Sequence, residues 1–259
     1  MNYTAQDMPS KLPEITLTFW IIKIAATTLG ETGGDTVSMS MKLGYLVSTA
    51  IFLCVFVLAV SAQIKARRYY PYLYWFVIVA TTTAGTTLAD FADRSLGIGY
   101  LGGSLILFAA LMLMLGGWYR AMGSVSVDRI DTPRAEIFYW GTIMLSQTLG
   151  TALGDWMADG AGLGFEKGAI VFAIALAVVV CAYWFTQISR VLLFWTAFIV
   201  TRPLGATVGD LLDKPHANGG LDLSRPWASA ALAAFMLLCL IVLPQRAGTH
   251  PRQAQEAAR

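Results

Sequence analysis

One seventeen-residue motif occurs four times in the chain without a gap, and this repetition constrains the fold more than any other feature. Each copy opens with an aromatic residue and Trp, has a Gly ten residues after the Trp, and ends with an Asp five residues later. A second small residue precedes the Asp, so that every copy contains Gly-x-x-x-Gly/Ala-Asp. The copies are 19–35 (FWIIKIAATTLGETGGD), 74–90 (YWFVIVATTTAGTTLAD), 139–155 (YWGTIMLSQTLGTALGD) and 194–210 (FWTAFIVTRPLGATVGD). Four such segments predict four copies of one structural unit.

The sequence around the motifs is too apolar for a soluble domain, since 56% of the 259 residues are hydrophobic and 13% are charged. A membrane-spanning helix needs about 20 mostly apolar residues, and the chain contains eight such segments, two in each unit. The predicted fold class is therefore all-α transmembrane, with eight spans arranged as four parallel two-helix repeats. The predicted repeats, 13–68, 69–122, 134–189 and 190–243, form a single membrane domain, 1–259.

The spacing of the motifs predicts an older duplication. The steps between Trp20, Trp75, Trp140 and Trp195 are 55, 65 and 55 residues, so that equivalent residues of the two halves are 120 apart. A polar cytoplasmic linker, 120–134, divides the halves, and a disordered tail, 244–259, is expected after the last span. The fold is thus predicted as two duplicated halves.

Charge is distributed unevenly along the predicted spans. Eight spans place both termini on one side, where the loops and termini hold eleven Lys and Arg residues against five on the other side. The positive-inside rule predicts that the N- and C-termini are cytoplasmic. Ten carboxylates cluster at the opposite, outer ends of the spans.

With these four copies, the chain resembles a bacterial family of integral membrane proteins made of four tandem two-helix repeats, each with a characteristic Trp, described as a repeat of unknown function. The likeness extends from about Pro13 to Leu243 and includes the Trp, Gly and Asp of every copy. It implies a multi-pass protein of the cell inner membrane and supplies no activity. The segment 30–35, Gly-Glu-Thr-Gly-Gly-Asp, is also similar to the acidic motifs of manganese or calcium/proton exchangers, although its spacing is one residue longer. This second likeness is an analogy.

The candidate metal ligands are the four motif Asp residues and one additional Glu. An acidic group near the membrane is a functional hypothesis by default, and a carboxylate at a helix C-terminus is unfavourable unless a cation compensates it. Hard oxygen donors suit Mn²⁺, Ca²⁺ or Mg²⁺, as well as Na⁺ or H⁺, while the isolated Cys residues and the loop and tail His residues offer no zinc site. The predicted ligands are Glu31, Asp35, Asp90, Asp155 and Asp210.

Further polar residues are predicted to support this site. Hydroxyls 8 and 12 residues after the Trp share a helical face with the Asp, and two bases lie inside spans one and seven. Pro203 predicts a kink or a break in span seven. The supporting residues are Lys23, Thr28, Thr32, Thr83, Thr87, Thr148, Arg202 and Thr207.

Structural interpretations of the same residues stay open. The glycines are typical of close helix packing, and the Trp residues could be packing anchors or membrane-belt residues. An Asp at the end of a span is commonly a solvated loop residue or a helix cap. Glu31 could pair with Lys23 or Arg202 as a buried clamp.

These observations lead us to expect a cation transporter for a divalent metal, with proton coupling left open. The alternatives are a cation channel with an Asp ring and a non-transporting scaffold or sensor in which the motifs only pack helices. No enzyme is expected, because hydrolase, zinc-protease and phosphate-loop motifs are absent from the sequence. The expected partners are the lipid bilayer and a small cation, without nucleic acid. No cofactor is expected apart from a bound divalent cation, and a homo-oligomer is left open.

Overall fold

The protein is almost entirely helical. The computed structural model describes residues 10–130 and 132–248, and within them the only β-pairing is an isolated antiparallel bridge between Pro13 and Ala247. The prediction of an all-α fold is therefore confirmed. The eight α-helices of the described residues are α1 (Leu17–Asp35), α2 (Gly44–Lys65), α3 (Pro71–Asp90), α4 (Tyr100–Met122), α5 (Pro133–Asp155), α6 (Gly164–Phe185), α7 (Arg190–Asp213) and α8 (Arg225–Val242).

Local chemistry sets several helix ends. The hydroxyls of Thr16 and Thr132 cap α1 and α5 by accepting hydrogen bonds from backbone N–H groups three residues later. Pro71 starts α3 at a position where its missing N–H costs nothing. After the motif Asp, α1, α3 and α5 each continue into a five-residue π-helical turn, namely Thr36–Ser40, Phe91–Ser95 and Trp156–Gly160.

Helix α7 differs from the other motif helices because it continues beyond its motif Asp to Asp213 without a π-helical turn. It also runs without interruption through Pro203, so the helix is not broken at this residue. Pro203 is buried and α7 packs against α1, α5 and α6, and these contacts hold the helix together around the missing hydrogen bond.

Five of these helices, α2, α4, α6, α7 and α8, are long and apolar enough to cross a membrane. The other three helices, α1, α3 and α5, are continuous, but the Thr, Gly and acidic residues of the motif make their sequences less apolar. Membrane-like helices are thus present, and the most polar ones are those that carry the motif.

The four motif helices form a closed ring in which α1 contacts α3, α3 contacts α5, α5 contacts α7, and α7 contacts α1. The other helices pack on the outside: α2 against α3, α4 against α5, α6 against α7, and α8 against α1. Each outer helix therefore packs on the motif helix of the following repeat, and α8 closes the circle on the first.

The first Gly of each motif sets the close approach of neighbouring ring helices. A Cβ added to Gly85 would lie 2.9 Å from the backbone N of Thr148, and one added to Gly150 would lie 3.0 Å from Cδ of Pro203. The first distance is shorter than real Cβ contacts and the second is tighter than most of them, so a larger residue would push the helices apart. The four seams pair Gly30 with Thr82, Gly85 with Gln147, Gly150 with Arg202 and Gly205 with Thr27.

The segments before α1 and after α8 lie against each other. The backbone N of Glu14 donates to the carbonyl O of Arg246 at 3.0 Å, and Gly248 N donates to Leu12 O at 2.8 Å. Of the tail 244–259, residues 244–248 belong to this region and 249–259 lie outside the described residues. The linker 120–134 contains the end of α4, a short 3-10 helix (Val127–Arg129) and the start of α5, and its residue 131 is not described.

Candidate cation site

The interior of the ring is layered along the helix axes, starting with aromatic residues at the N-terminal ends. Trp75, Trp140 and Trp195 are buried, so they are packing anchors of the ring and not membrane-belt residues. Adjacent ring helices contact each other in this aromatic layer through Phe19 and Trp75 (ring centroids 5.5 Å apart), Tyr74 and Trp140 (5.7 Å), Tyr139 and Trp195 (6.3 Å), and Trp20 and Phe194 (5.9 Å).

Arg202 lies at the centre of the next layer and is fully buried. Its Nη2 is 3.1 Å from Oε2 of Glu31 on α1 and donates to the hydroxyls of Thr86 on α3 and Thr151 on α5. Its Nη1 donates to the carbonyl O of Thr27 at 3.4 Å. One guanidinium therefore connects α7 to the other three ring helices and crosses the middle of the ring.

The four motif Asp residues form a polar layer at the C-terminal ends of the ring helices, and each is at most 2% exposed. Their burial is incompatible with the interpretation of these residues as solvated loop residues. Ion pairs join them two by two between neighbouring helices, Asp35 with Asp210 and Asp90 with Asp155, in two ion clusters.

The first, which we name the Lys214 cluster, joins the ends of α1 and α7. It consists of Asp35, Asp210, Asp213, Lys214 and Arg225. Lys214 Nζ is 2.6 Å from Oδ2 of Asp35 and 2.9 Å from Oδ1 of Asp210. One carboxylate oxygen from each of the three Asp residues lies within 4.8 Å of the others. Three acids thus face two bases, which leaves one negative charge in excess.

Several oxygens of the Lys214 cluster lack hydrogen bonds. Oδ1 of Asp35 and both oxygens of Asp213 are buried without a hydrogen-bond partner, although Arg225 Nε lies 3.4 Å from Oδ2 of Asp213. Buried polar atoms are nearly always hydrogen-bonded. These free acceptors at two helix C-termini are the kind of donor set that coordinates a hard cation.

The loop that follows α7 encloses the Lys214 cluster. Backbone N–H groups of Leu221 and Leu223 donate to carbonyls of Leu211 and Leu212 at 2.7 and 2.9 Å, so the loop folds back along the end of α7. Asp222 N donates to Lys214 O at 2.9 Å. Burial disfavours the charged form of Lys214, but Asp210 and Asp35 outweigh this effect and raise the pKa of Lys214 well above its ordinary value. Its ammonium is therefore charged at neutral pH.

The second cluster, the Arg94 cluster, joins α3 and α5 and consists of Asp90, Arg94 and Asp155. Arg94 Nε is 3.0 Å from Oδ1 of Asp90, and its Nη2 is 3.3 Å from Oδ2 of Asp155. Asp93, which lies 120 residues before Asp213, is buried beside Gly103 and forms no ion pair with any described residue. The Arg94 cluster thus has a third carboxylate nearby, Asp93, but the residue equivalent to Arg225 in the first half is Leu105.

The hydroxyls predicted to support the ligands bond to their own helices. Thr28, Thr83 and Thr148 donate to carbonyls four residues earlier, at 3.1, 2.7 and 3.0 Å, and Thr87 and Thr207 do the same. A Thr hydroxyl inside a helix readily takes this bond. These groups therefore do not reach the carboxylates, and Thr32 bonds to Leu29 O and to Ser229 on α8.

The two predicted bases behave differently. Arg202 pairs with Glu31, as the buried-clamp alternative anticipated, whereas Lys23 lies over the Phe198 ring and 3.5 Å from the Thr201 hydroxyl. The ligand set proposed from sequence is consequently divided three ways: Glu31 lies at Arg202, Asp35 and Asp210 at Lys214, and Asp90 and Asp155 at Arg94.

Sequence reasoning missed several residues for which a signal exists. Thr86 and Thr151 occupy the same repeat position as Glu31, eleven residues after the Trp, and the fourth copy has the small Ala206 there. Arg94 and Lys214 each follow a motif Asp by four residues, in the second and fourth copies only. An i, i+4 base after an acid predicts an ion pair. Asp213 could have been found from its equivalence with Asp93.

A family model described as Repeat of Unknown Function (DUF347) matches the chain four times, at residues 18–69, 73–124, 138–189 and 193–246. These matches cover most of the chain and coincide with the four motif-containing units. Comparisons with curated proteins and with solved structures give no match.

Proposed function

We propose that this chain, which belongs to the family of the Repeat of Unknown Function (DUF347) because its four units match the family model, is a divalent-cation transporter of the cell inner membrane. In this proposal all eight helices cross the bilayer, the four motif helices run in one direction, and the termini are cytoplasmic. The common direction of the motif helices is supported by the contacts between their equivalent ends. Aromatic residues of neighbouring helices meet at the N-terminal ends, and charged residues meet at the C-terminal ends. Since α7 is apolar enough to span, its ring neighbours α1, α3 and α5 would span with it.

The Lys214 cluster is the proposed transport site. The observation that carries the proposal is the group of three buried carboxylates, Asp35, Asp210 and Asp213, with free acceptor oxygens at the ends of α1 and α7. Carboxylates and helix C-terminal carbonyls coordinate hard cations such as Mn²⁺, Ca²⁺ and Mg²⁺. The substrate would lie among these oxygens on the outer side of the ring.

Lys214 would act as a tethered cation that the substrate displaces. Its ammonium lies between Asp35 and Asp210, where a divalent cation would also be attracted. A Lys side chain is a point charge on a flexible stem with several rotatable bonds, so it can move away and return. With Lys214 in place the cluster has one excess negative charge, and a divalent cation in its place would neutralise that charge. The exchange would therefore never leave the buried carboxylates without a cation, which limits the cost of buried charge.

An open channel with an Asp ring has less support. The Arg202 guanidinium crosses the ring and binds all three other motif helices, and the aromatic layer fills the ring toward the termini. A continuous axial pore would require Arg202 to leave Glu31. The packing alternative has its own support in the four glycine seams, and flux measurements separate it from transport.

The test is uptake of radioactive manganese and calcium into proteoliposomes that contain the purified protein. We expect saturable uptake by the wild type and its loss in Asp35→Asn, while Asp222→Asn, in the exposed loop beside the cluster, serves as the matched control and transports normally. Imposing a proton gradient in either direction then shows whether protons are the counter-ions. Absence of manganese, calcium and magnesium uptake by folded wild-type protein would refute the transport proposal and favour a scaffold or sensor.

A further inference from the structure

Two short segments outside the eight helices cover the N-terminal end of the ring, at the opposite end from the two ion clusters. We name residues 10–16 the N-terminal strap and residues 244–248 the C-terminal strap. The isolated β-bridge between Pro13 and Ala247, with its two backbone hydrogen bonds, joins the straps to each other. Leu12 is 4% exposed and belongs to the same hydrophobic core as the buried Trp residues. The straps are therefore packed against the aromatic layer.

The N-terminal strap extends from one side of the ring to the other. It leads into α1, yet Lys11 Nζ is 2.5 Å from Oε1 of Glu136 in the first turn of α5. Helices α1 and α5 are opposite members of the ring, because each of them contacts α3 and α7. At the end of α2, Lys11 Nζ also donates to the carbonyl O of Ile64 at 3.0 Å, and Gln63 Nε2 donates to the carbonyl O of Lys11 at 3.3 Å. The strap thus lies across the end of the ring.

The C-terminal strap and the linker after α4 contact the other two ring helices. Gln245 follows α8, which packs on α1, and its Oε1 accepts a hydrogen bond from Nε1 of Trp75 on α3 at 3.4 Å. Nε1 of Trp195 on α7 donates to the carbonyl O of Val125 in the linker at 2.9 Å. Segments outside the helices therefore contact all four ring helices at this end.

The two ends of the ring are closed by different means. At the C-terminal ends, the clustered side chains lie on the ring helices or directly after them, with Arg225 added from α8. At the N-terminal ends the straps lie across the ring, and Lys11–Glu136 is the one ion pair between a strap and a ring helix in the described structure. A segment without regular secondary structure, held by one ion pair and a few hydrogen bonds, can detach while the helices stay intact.

Glu136 is specific to the third repeat. It lies four residues before the Trp, and the equivalent residues of the other copies are Thr16, Pro71 and Val191. Its side chain is 1% exposed, and its partner Lys11 supplies the opposite charge. A buried carboxylate is tolerated when it is paired, so the position of the N-terminal strap and the charge of Glu136 depend on each other.

We propose that the two straps form a gate over the N-terminal end of the ring, held shut by the Lys11–Glu136 ion pair, and that the gate opens when a cation leaves the protein. This inference rests on the proposed function, because a cation bound at the Lys214 cluster has to be released at the opposite end of the ring. In the proposed topology that end faces the cytoplasm. The close-packed aromatic layer has no space to rearrange while the straps cover it.

The β-bridge provides a position for a reversible lock. Pro13 and Ala247 form a non-hydrogen-bonded antiparallel pair, in which Cα atoms are about 4.5 Å apart, and a disulfide can span this distance. The test protein has its native cysteines, Cys54, Cys181 and Cys239, replaced by Ala and carries Pro13→Cys with Ala247→Cys. Oxidation links the straps, and reduction releases them.

Uptake of manganese into proteoliposomes measures the effect of this lock. We expect the oxidised double variant to lose uptake and to regain it on reduction. Pro13→Cys alone and Ala247→Cys alone, treated with the same oxidant, are the matched controls and keep the uptake of the cysteine-free protein. If the double variant transports at the control rate while mass spectrometry shows the disulfide, the straps are not a gate, and the transport proposal stands.

A second measurement detects opening without relying on transport. Ser10 is 5% exposed, so in the cysteine-free protein Ser10→Cys reacts with a membrane-impermeant maleimide when the strap detaches. Glu136→Gln removes the charge that holds Lys11, and we expect labelling to become faster by about tenfold or more, the effect of losing a hydrogen bond between charged groups. Glu14→Gln, at an exposed position of the same strap, is the matched control and leaves the labelling rate unchanged.

The two measurements separate failure of the gate from failure of transport. Labelling of Ser10→Cys that is equally slow with and without Glu136→Gln would overturn the gate, whatever the uptake measurements show. Absence of uptake by the wild type would refute transport by itself, and the labelling rate then decides whether the straps open.

Discussion

The Lys214 cluster and the Arg94 cluster are built at equivalent positions of the two halves, 120 residues apart, yet they differ in the base that joins the carboxylates. In both, a base four residues after one motif Asp bridges that Asp to the motif Asp of a neighbouring ring helix. The base is Lys in one cluster and Arg in the other. Arg holds its two partners with separate nitrogens of one rigid plane, whereas Lys holds them with a single mobile ammonium.

The backbone around the two bases also differs. Arg94 lies within the π-helical turn that follows α3, while Lys214 follows the end of α7 in extended conformation, under a loop that bonds back to the helix. The Lys214 cluster includes a third carboxylate, Asp213, and Arg225 from α8. Its counterpart Asp93 forms no ion pair with a base of the described residues. The two halves thus contain two acid–base–acid bridges. In the proposed mechanism the Arg94 bridge stays closed and the Lys214 bridge exchanges its cation.

Removing Arg94 or Lys214 should have the largest effect on stability and should reveal the clearest difference between the two clusters. Arg94→Met leaves Asp90 and Asp155 buried without a base, which we expect to lower the free energy of unfolding by about 3–5 kcal/mol. Lys214→Met should cost less, because Arg225 remains 3.8 Å from Asp35, and added calcium should restore the lost stability. Thermal and denaturant unfolding of the purified variants, with and without calcium, measures both. Rescue of Arg94→Met by calcium as well would mean that the clusters are equivalent.

Replacing equivalent carboxylates should affect transport in one cluster only. Asp210→Asn removes a proposed ligand, and we expect uptake of manganese to fall by about 10–100-fold. Asp90→Asn, its equivalent 120 residues earlier, leaves Asp155 paired with Arg94 and should keep uptake within about twofold of the wild type. Uptake into proteoliposomes at several manganese concentrations decides the point. Equal losses in the two variants would make both clusters transport sites.

Much of the architecture could be predicted because it follows from the repeat. The aromatic, Gly and Asp positions recur at fixed spacing, and these residues form the aromatic layer, the glycine seams and the outer charged layer. The helical fold and the buried pairing of Glu31 with Arg202 were within reach of pattern and charge. What the pattern cannot supply is which neighbour each repeat contacts.

The candidate site shows that limit. The helical face chosen from sequence contained Thr28 and Thr83, which bond to their own backbone, and omitted Thr86 and Thr151, which contact Arg202. Seam packing places the residue seven after each Trp against the Gly of a neighbouring helix. Three of the residues eleven after the Trp, Glu31, Thr86 and Thr151, then contact Arg202. The division of the Asp residues into two clusters depends on the long reach of Lys214 and Arg94 across seams, which is a tertiary property.

Exchanging the bases should have a smaller, kinetic effect. Lys214→Arg replaces a displaceable ammonium by a guanidinium that grips both carboxylates, so we expect the manganese concentration for half-maximal uptake to rise by about tenfold. Arg94→Lys should leave this concentration unchanged, because the proposed mechanism gives the Arg94 cluster no part in exchange. Concentration-dependent uptake by both variants provides the measurement. An unchanged value in Lys214→Arg would argue against displacement of the tethered cation.

The smallest expected effect concerns Asp93, the counterpart of Asp213 without a partner base. Burial raises the pKa of Asp93, and the nearby Arg94 only partly offsets this rise. In the unfolded chain an Asp ionises near pH 3.9, so above that pH the unfolded state is favoured by losing a proton that the folded state retains. Asp93→Asn should therefore raise the midpoint of thermal unfolding at pH 7 and leave it nearly unchanged near pH 3.5, where most unfolded chains also carry the proton.

Exposed Asp159, replaced by Asn, is the matched control and should shift the midpoint at neither pH. Uptake of manganese by Asp93→Asn should equal that of the wild type, since without a displaceable base a third carboxylate does not create an exchange site. If Asp93→Asn instead destabilises the protein at pH 7 and reduces uptake, the Asp93 carboxylate is bound to a cation in the membrane. The Arg94 cluster would then be a second transport site. The difference between Arg94 and Lys214 would in that case adjust the cation affinities of two transport sites, and the Arg94 cluster would not be a purely structural ion pair.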